Sequence, residues 1–306
     1  MNPHLKKNAK YGKAASLSWV ALAYALALAA AVASWTLAAP LGAIPSALLA
    51  VVAATFVVWG FSLAFANSSI YDPFWSVMPP VLALAWWWQS GQPTSLLPML
   101  CLAVVGCWAL RLTRNWALDW PGLAHEDWRY QELRAQNGRA YIVVNLLGIH
   151  MFPTLIVFAA MLPVQAVMAD GGAPGAAGIA AALLAFVLGI GAALIQLIAD
   201  AQMRRFRLSP SARHIYMKEG LWAWSRHPNY FGELLFWFSL WLFGAAALGL
   251  MPALLVGGGA LAMLGLFVFY SAPAMDKRIA QKRPGYSEHM KNSSMLLLLP
   301  PRPKKT

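Results

Sequence analysis

Residues 225–233, SRHPNYFGE, set Arg226, His227, Asn229, Tyr230 and Glu233 at the head of a long apolar run. Burying such groups is costly unless each meets a partner or a ligand. Pro228 suits the first turn of a helix, which places Asn229 and Tyr230 near an amino-terminal end where free N–H groups and the helix dipole favour an anion. Upstream, Asp200 and Arg204 lie four apart and share a helical face, with Arg207 another turn away. A salt-bridged helix end accounts for that pair, but not for Arg205, Arg213, His214, Arg226 and His227 crowding one connection. These residue types at this spacing suit recognition of a phosphate or carboxylate. Proton chemistry has other candidates. Tyr71 and Asp72, in NSSIYDPFW, are ionisable groups at the edge of an apolar run, where such a group is a functional candidate. The alternative for Asp72, which precedes Pro73, is an Asx-type turn. His150, inside an apolar run, is a further candidate acid, with packing as its alternative.

The elements that must position these residues are membrane spans. The chain has 306 residues, 60% of them hydrophobic and 11% charged, and a mean hydropathy of +0.57. Its apolar runs are long enough to cross a hydrocarbon core of about 30 Å. Eight spans are expected, at 17–39, 46–66, 73–89, 96–110, 143–168, 176–199, 230–250 and 253–272. They are helices, because backbone in lipid must satisfy its own hydrogen bonds. The fold class is thus an all-α membrane bundle of seven to eight helices with no Rossmann domain. Pro79 and Pro80 in the third span and the short apolar run of the fourth allow this pair to be kinked or re-entrant. The expected organisation is a basic tail (1–16), an amino-terminal membrane region (17–142), a carboxy-terminal membrane region holding the ligand pocket (143–299) and a disordered basic tail (300–306).

All 23 Lys and Arg residues fall in the tails or the even-numbered connections, so the positive-inside rule puts both termini in the cytoplasm. The first span is too long for a signal-peptide core and reads as an anchor. The net charge of +12 is one basic face, suited to anionic headgroups or to an anionic soluble ligand; nucleic acid is not an expected partner. Cys101 and Cys107 lie six apart in one apolar run and read as small buried hydrophobes. No residue set suggests a metal site.

Three stretches carry a resemblance: GLWAWSRHPNYFGE preceded by DAQMRRFR, then SAPAMDKRIAQKRPGYSEHMKNSSMLLLLP, and upstream NSSIYDPFWS with RNWALDWPGLAHEDWRY. Together they resemble the steroid 5α-reductase-like family, in particular its bacterial branch of membrane proteins, over most of residues 67–300. The Arg-His-Pro-Asn-Tyr-x-Gly core is also similar to sterol C14/C7 reductases and, more loosely, to isoprenylcysteine methyltransferases. The resemblance implies an NADPH pocket lined by Asp200, Arg204, Arg207, Arg226, His227, Asn229, Tyr230 and Glu233, closed by Asp276, Arg278, Lys282 and Tyr286. It also implies a cavity that Asn67, Trp75, Arg114 and Trp116 share with Tyr71 and Asp72. Steroid 5α-reductases place a Glu in an early helix to polarise the steroid ketone, and the second span here holds no acid.

The expectation is an integral enzyme of a bacterial inner membrane with both termini in the cytoplasm: an NADPH-dependent reductase of an activated C=C bond in a steroid-like or other lipid that arrives from the bilayer. Tyr71 and Asp72 are the candidate acids. Guanidinium forks suit the phosphates of NADPH, and no GxGxxG fingerprint follows a strand. A membrane methyltransferase using S-adenosylmethionine is the first alternative, against which the crowded arginines and the single acid in APAMDKR argue. A non-catalytic lipid-binding protein is the second.

Overall fold

A computed structural model describes residues 3–92, 94–170 and 175–300. Helix makes up 83% of the described residues, among which no strand occurs, so no Rossmann domain is present there. The main helices are α1 (Lys13–Ala38), α2 (Ala43–Phe65), α3 (Phe74–Gln89), α4 (Leu96–Asp119), α5 (Trp128–Asn137), α6 (Phe152–Asp170), α7 (Ala176–Leu208), α8 (Pro228–Leu248), α9 (Gly258–Leu266), α10 (Ala272–Lys282) and α11 (Tyr286–Asn292). Among the described residues, seven helical stretches are long and apolar enough to cross a membrane: Lys13–Leu41, Ala43–Phe65, Leu96–Asp119, Trp128–Ala169, Ala176–Leu208, Pro228–Leu248 and Gly258–Lys282.

The third expected span, 73–89, is α3 and is not among these seven. It is helical with Pro79 and Pro80 inside it, but has only 16 residues. At 1.5 Å per residue that is about 24 Å, short of a core of about 30 Å. The fourth span runs past its apolar run to Asp119, and the last extends beyond 272 through a π-helical segment, Phe267–Ser271, into α10. Residues 301–306 of the basic tail expected at 300–306, and residues 171–174 of one connection without Lys or Arg, lie outside the described residues. Cys101 is buried as expected, whereas Cys107 is exposed, because the two positions fall on different faces of α4.

The chain forms two compact units, residues 1–93 with 112–161 and residues 94–111 with 162–306. In the first, α1 packs along α2, and in the second, α7 packs along α8. Gly232 is what lets α7 come close. A Cβ there would lie 2.5 Å from Gln196 Cγ and 3.0 Å from the Ala192 carbonyl oxygen. The 33 residues of α7 span roughly 50 Å, so its end bearing Arg204, Arg205 and Arg207 outreaches an apolar layer of about 30 Å.

Candidate functional site

In the second unit α8 starts as its sequence implies, with His227 at the N-cap and Pro228 in the first turn. The residues before it are held by the carboxy-terminal segment. Arg226 N donates to Ser294 O at 2.9 Å, and Ser225 Oγ donates to Leu296 O at 2.8 Å. The centre of this arrangement is Asp276 on α10, a buried carboxylate. Arg226 Nε lies 3.0 Å from its Oδ2 and Nη2 lies 2.9 Å from the same oxygen. His227 Nε2 is 2.9 Å from Oδ1, and the Tyr286 hydroxyl donates to Oδ1 at 2.6 Å. Arg226 Nη1 also donates to the carbonyls of Met290 and Ser293, at 3.0 and 2.7 Å. Most of the donors of this guanidinium are therefore engaged by protein. Burial, with the Asp276 carboxylate beside it, pushes the Tyr286 hydroxyl well above the usual phenol range. The His227 ring stacks on Tyr230 with centroids 5.1 Å apart.

A second carboxylate, Glu233, is also buried. Gln196 Nε2 donates to its Oε2 at 2.6 Å, Trp108 Nε1 to Oε2 and Trp237 Nε1 to Oε1, both at 3.0 Å. Arg111 Nη1 pairs with Asp200 at 2.8 Å, while its Nη2 approaches Glu233 at 4.0 Å. Sequence spacing therefore found Asp200 and Glu233 but not Arg111, which joins them. Trp108 and Arg111, three apart on α4, were legible as one helical face. Two buried acceptors on this side have no protein donor, Asn229 Oδ1 and Gln196 Oε1. Arg204 and Arg278 are half-buried, and Arg207 and Lys282 are exposed. Beside the end of α7 lies a cleft of about 450 Å³ that includes Arg205, Tyr216 and Lys218.

In the first unit the candidates Tyr71 and Asp72 follow a 3-10 turn, Ser68–Ile70. The Asx turn belongs to Asn67 rather than Asp72: Asn67 Oδ1 accepts from Ser69 N at 2.9 Å, and its amide donates to the carbonyls of Leu123 and His125. The segment before α5 grips the same turn. Ser68 N donates to Glu126 Oε1 at 2.8 Å, Asp127 N donates to Ser69 Oγ at 2.8 Å, and the Tyr130 hydroxyl donates to Asp72 Oδ1 at 2.6 Å. Glu126 is fully buried and paired with Arg134 at 3.1 Å. Arg134 also lies over the Tyr141 ring, 4.2 Å from its centroid, and donates to Ala66 O. Ala66 is an alanine at φ 49, in the left-handed region that favours glycine. Glu126, Tyr130 and Arg134 were not singled out in the sequence, because they sit almost sixty residues from the turn they hold.

Burial raises the Asp72 carboxyl from the ordinary aspartate range to about 7, against the opposing influence of the Arg129 guanidinium and the Tyr130 hydroxyl. The Tyr71 hydroxyl, raised chiefly by burial, lies 2.9 Å from Thr154 Oγ1, which lies 3.1 Å from Thr55 Oγ1. Thr55 in turn donates to Val51 O at 2.7 Å. That chain ends on a carbonyl, which has no proton to give, so it positions Tyr71 and cannot resupply it. His150 is engaged at both ring nitrogens, with Asn145 O and Ser62 Oγ each at 2.9 Å, which fits a packing role. It sits on a π-helical segment, Asn145–Met151, with its ring 4.8 Å from that of Tyr71. Trp116 stacks on Trp120, centroids 4.8 Å apart.

The sequence pattern of a family described as "Protein of unknown function (DUF1295)" matches residues 58–293. The chain belongs to the DUF1295 family. Within that match fall the turn that carries Asp72, the Glu126 clamp and the Asp276 junction. The DUF1295 chain is also 26% identical over 216 residues to "Uncharacterized protein C594.04c" of Schizosaccharomyces pombe (strain 972 / ATCC 24843), an alignment covering 62% of this chain and 61% of that protein. The chain thus spans about three fifths of that relative's length. No solved structure matches it.

Proposed function

We propose that this DUF1295 protein is a membrane-embedded, NADPH-dependent reductase of an activated C=C bond in a lipid, with its pocket and both termini on the cytoplasmic side of a bacterial inner membrane. The observation that carries the reading is the pair of buried acceptors without donors, Asn229 Oδ1 and Gln196 Oε1, beside the amino terminus of α8. Buried polar atoms are seldom left unpaired, and a ligand bearing amide and hydroxyl donors would satisfy both. The cations at the end of α7, Arg204, Arg205 and Arg207, suit the phosphates of the same ligand. The resemblance of SRHPNYFGE and its flanks to the steroid 5α-reductase-like family points the same way. In this reading Asn229, Gln196 and the α7 arginines hold the cofactor. Arg226, His227 and Tyr286 act on it indirectly, by fixing the start of α8 through Asp276.

Bound NADPH supplies the hydride. The residues of this chain must orient the lipid, exclude water and deliver a proton to the second carbon. Asp72, with a pKa of about 7, is matched to proton delivery near neutrality. Tyr130 Oη, at 2.6 Å from Oδ1, and the Ser69 hydroxyl fix the orientation of that carboxyl.

Thermal unfolding of the purified protein in detergent tests the cofactor. NADPH at a hundredfold excess over its Kd stabilises by about 2.7 kcal/mol, and S-adenosylmethionine by far less. The reverse order would support a methyltransferase, and no stabilisation by either would support a non-catalytic protein.

A further inference from the structure

The amino-terminal segment, expected from the sequence as a basic tail, is built into the first unit. Leu5, Asn8 and Ser16 are buried, and the cations among them reach helix ends. Lys7 Nζ donates to Ala64 O and Lys13 Nζ to Leu118 O, both at 2.8 Å. These carbonyls belong to the last turns of α2 and α4, where a helix leaves C=O groups unpaired and favours a cation. Tyr11 and Trp19 add an apolar hold, with ring centroids 6.0 and 5.4 Å from that of Phe65 at the end of α2.

Asn8 makes the decisive contacts. Its Nδ2 donates to Phe65 O at 2.7 Å and to Leu123 O at 3.2 Å, so both amide protons are used. Leu123 is fully buried, and its N donates to Ser16 Oγ at 3.1 Å. A Cβ at Gly122 would lie 2.9 Å from Ser16 Oγ, and the φ of 118 there favours glycine. The second donor to Leu123 O is Asn67 Nδ2, at 2.8 Å. One carbonyl thus joins the amino-terminal segment to the turn that precedes Asp72. From Asn67 the contacts run on: its Oδ1 accepts from Ser69 N at 2.9 Å, and the Ser69 hydroxyl holds the Asp72 carboxyl.

We propose that Asn8 is a positioning residue for Asp72, acting through Leu123, Asn67 and Ser69. Without it, Phe65 O and Leu123 O each lose a donor at the point where α2 passes into the turn. Water entering there lessens the burial of Asp72, so the carboxyl titrates at a lower pH. The charged and titratable groups that act on it directly are Arg129, Asp127, Tyr130, Tyr71 and Tyr24, all left in place by a change at Asn8. That Asp72 is the reacting acid rests on the reductase reading; that Asn8 fixes its surroundings rests on these contacts alone.

The test compares melting temperatures of the full chain in detergent from pH 4 to 9, with and without Asp72→Asn in each background. The pH at which the difference within a pair levels off reports the folded-state titration of Asp72. In the parent that level is expected near pH 7, and Asn8→Ala should bring it about one unit lower, a tenfold loss of proton affinity. Asn8→Leu, which fills the space without donating, should do the same. Ser46→Ala removes an equally buried hydrogen bond, Ser46 Oγ to Ala38 O at 2.7 Å. It lies near the far end of α2, about 29 Å from Phe65 at 1.5 Å per residue, and should leave the level at the parent value. If both Asn8 variants fail to fold, Ser16→Ala should show a smaller shift in the same direction. An unshifted level in folded variants, an equal shift in Ser46→Ala, or a parent pair that never diverges would each overturn the proposal. An NADPH titration of the same samples separates the two readings. A shifted level without NADPH binding removes the reductase and leaves Asn8 in its role, and saturable NADPH binding with an unshifted level does the opposite.

Discussion

Asp276 and Asp72 are the same residue type in opposite circumstances. Asp276 is surrounded by donors from three side chains, Arg226, His227 and Tyr286, which tie the start of α8 and of α11 to α10. Asp72 is held by the hydroxyls of Tyr130 and Ser69 and, being buried, has its pKa raised to about 7. A carboxylate saturated with donors is a structural post, because removing it strands several buried groups at once. A carboxylate held by hydroxyls, with no cation hydrogen-bonded to it and titrating near neutrality, is suited to proton chemistry. The difference teaches that the motif most visible in the sequence, SRHP, is chiefly construction, and that the less conspicuous YDP is the better place to look for the reaction.

The largest effect should come from breaking the post. Asp276→Ala leaves Arg226 buried without its carboxylate and should cost about 3–5 kcal/mol of stability, seen as a large fall in the melting temperature in detergent. A small fall would erase the contrast between the two aspartates. Asp72→Asn should melt close to the parent at about pH 4, and at neutral pH it should lower turnover about 10²- to 10⁴-fold, the usual contribution of a positioned acid. The pH dependence sharpens this. With its folded pKa raised above the unfolded value, Asp72 contributes stability that is fully present below about 4 and is lost as pH rises through about 7. Asp72→Asn should remove that decline, so the variant gains on the parent between about pH 4 and 7 and keeps the gain above it. Turnover of the parent should fall about tenfold per pH unit above 7, since it needs the protonated form. The smallest effect concerns the turn itself. Ala66 is held at φ 49, and Ala66→Gly should relieve about 1 kcal/mol of backbone strain and raise the melting temperature slightly.

The apolar spans, their helical nature and the start of α8 at Pro228 were legible because hydropathy and helix-end chemistry are local. Local signals also misplaced some boundaries. Charged residues such as Arg111 continue α4 past its apolar run, and the π-helical turn at Asn145–Met151 inserts a residue that a 3.6-residue period does not register. The sequence marked Asp200, Glu233, Arg226 and Asp276 as chemically interesting without showing what each one meets. Arg226 and Asp276 pair across 50 positions, and Glu126 reaches Ser68 across 58; spacing within one helix carries no trace of either. The sequence offers Asp72, ahead of Pro73, for an Asx turn, and only the fold shows that Asn67 takes the turn while Asp72 meets Tyr130.

The division of labour between the two regions is tested most directly by titrating NADPH into the parent, Asn229→Ala and Asp72→Asn, with a melting curve for each. The parent should bind saturably, Asp72→Asn should bind as the parent does, and Asn229→Ala should bind about tenfold more weakly while melting at the parent's temperature, as expected for one lost hydrogen bond to a ligand. No saturable binding by the parent, or an Asn229→Ala protein that melts early yet binds with the parent's affinity, would contradict it.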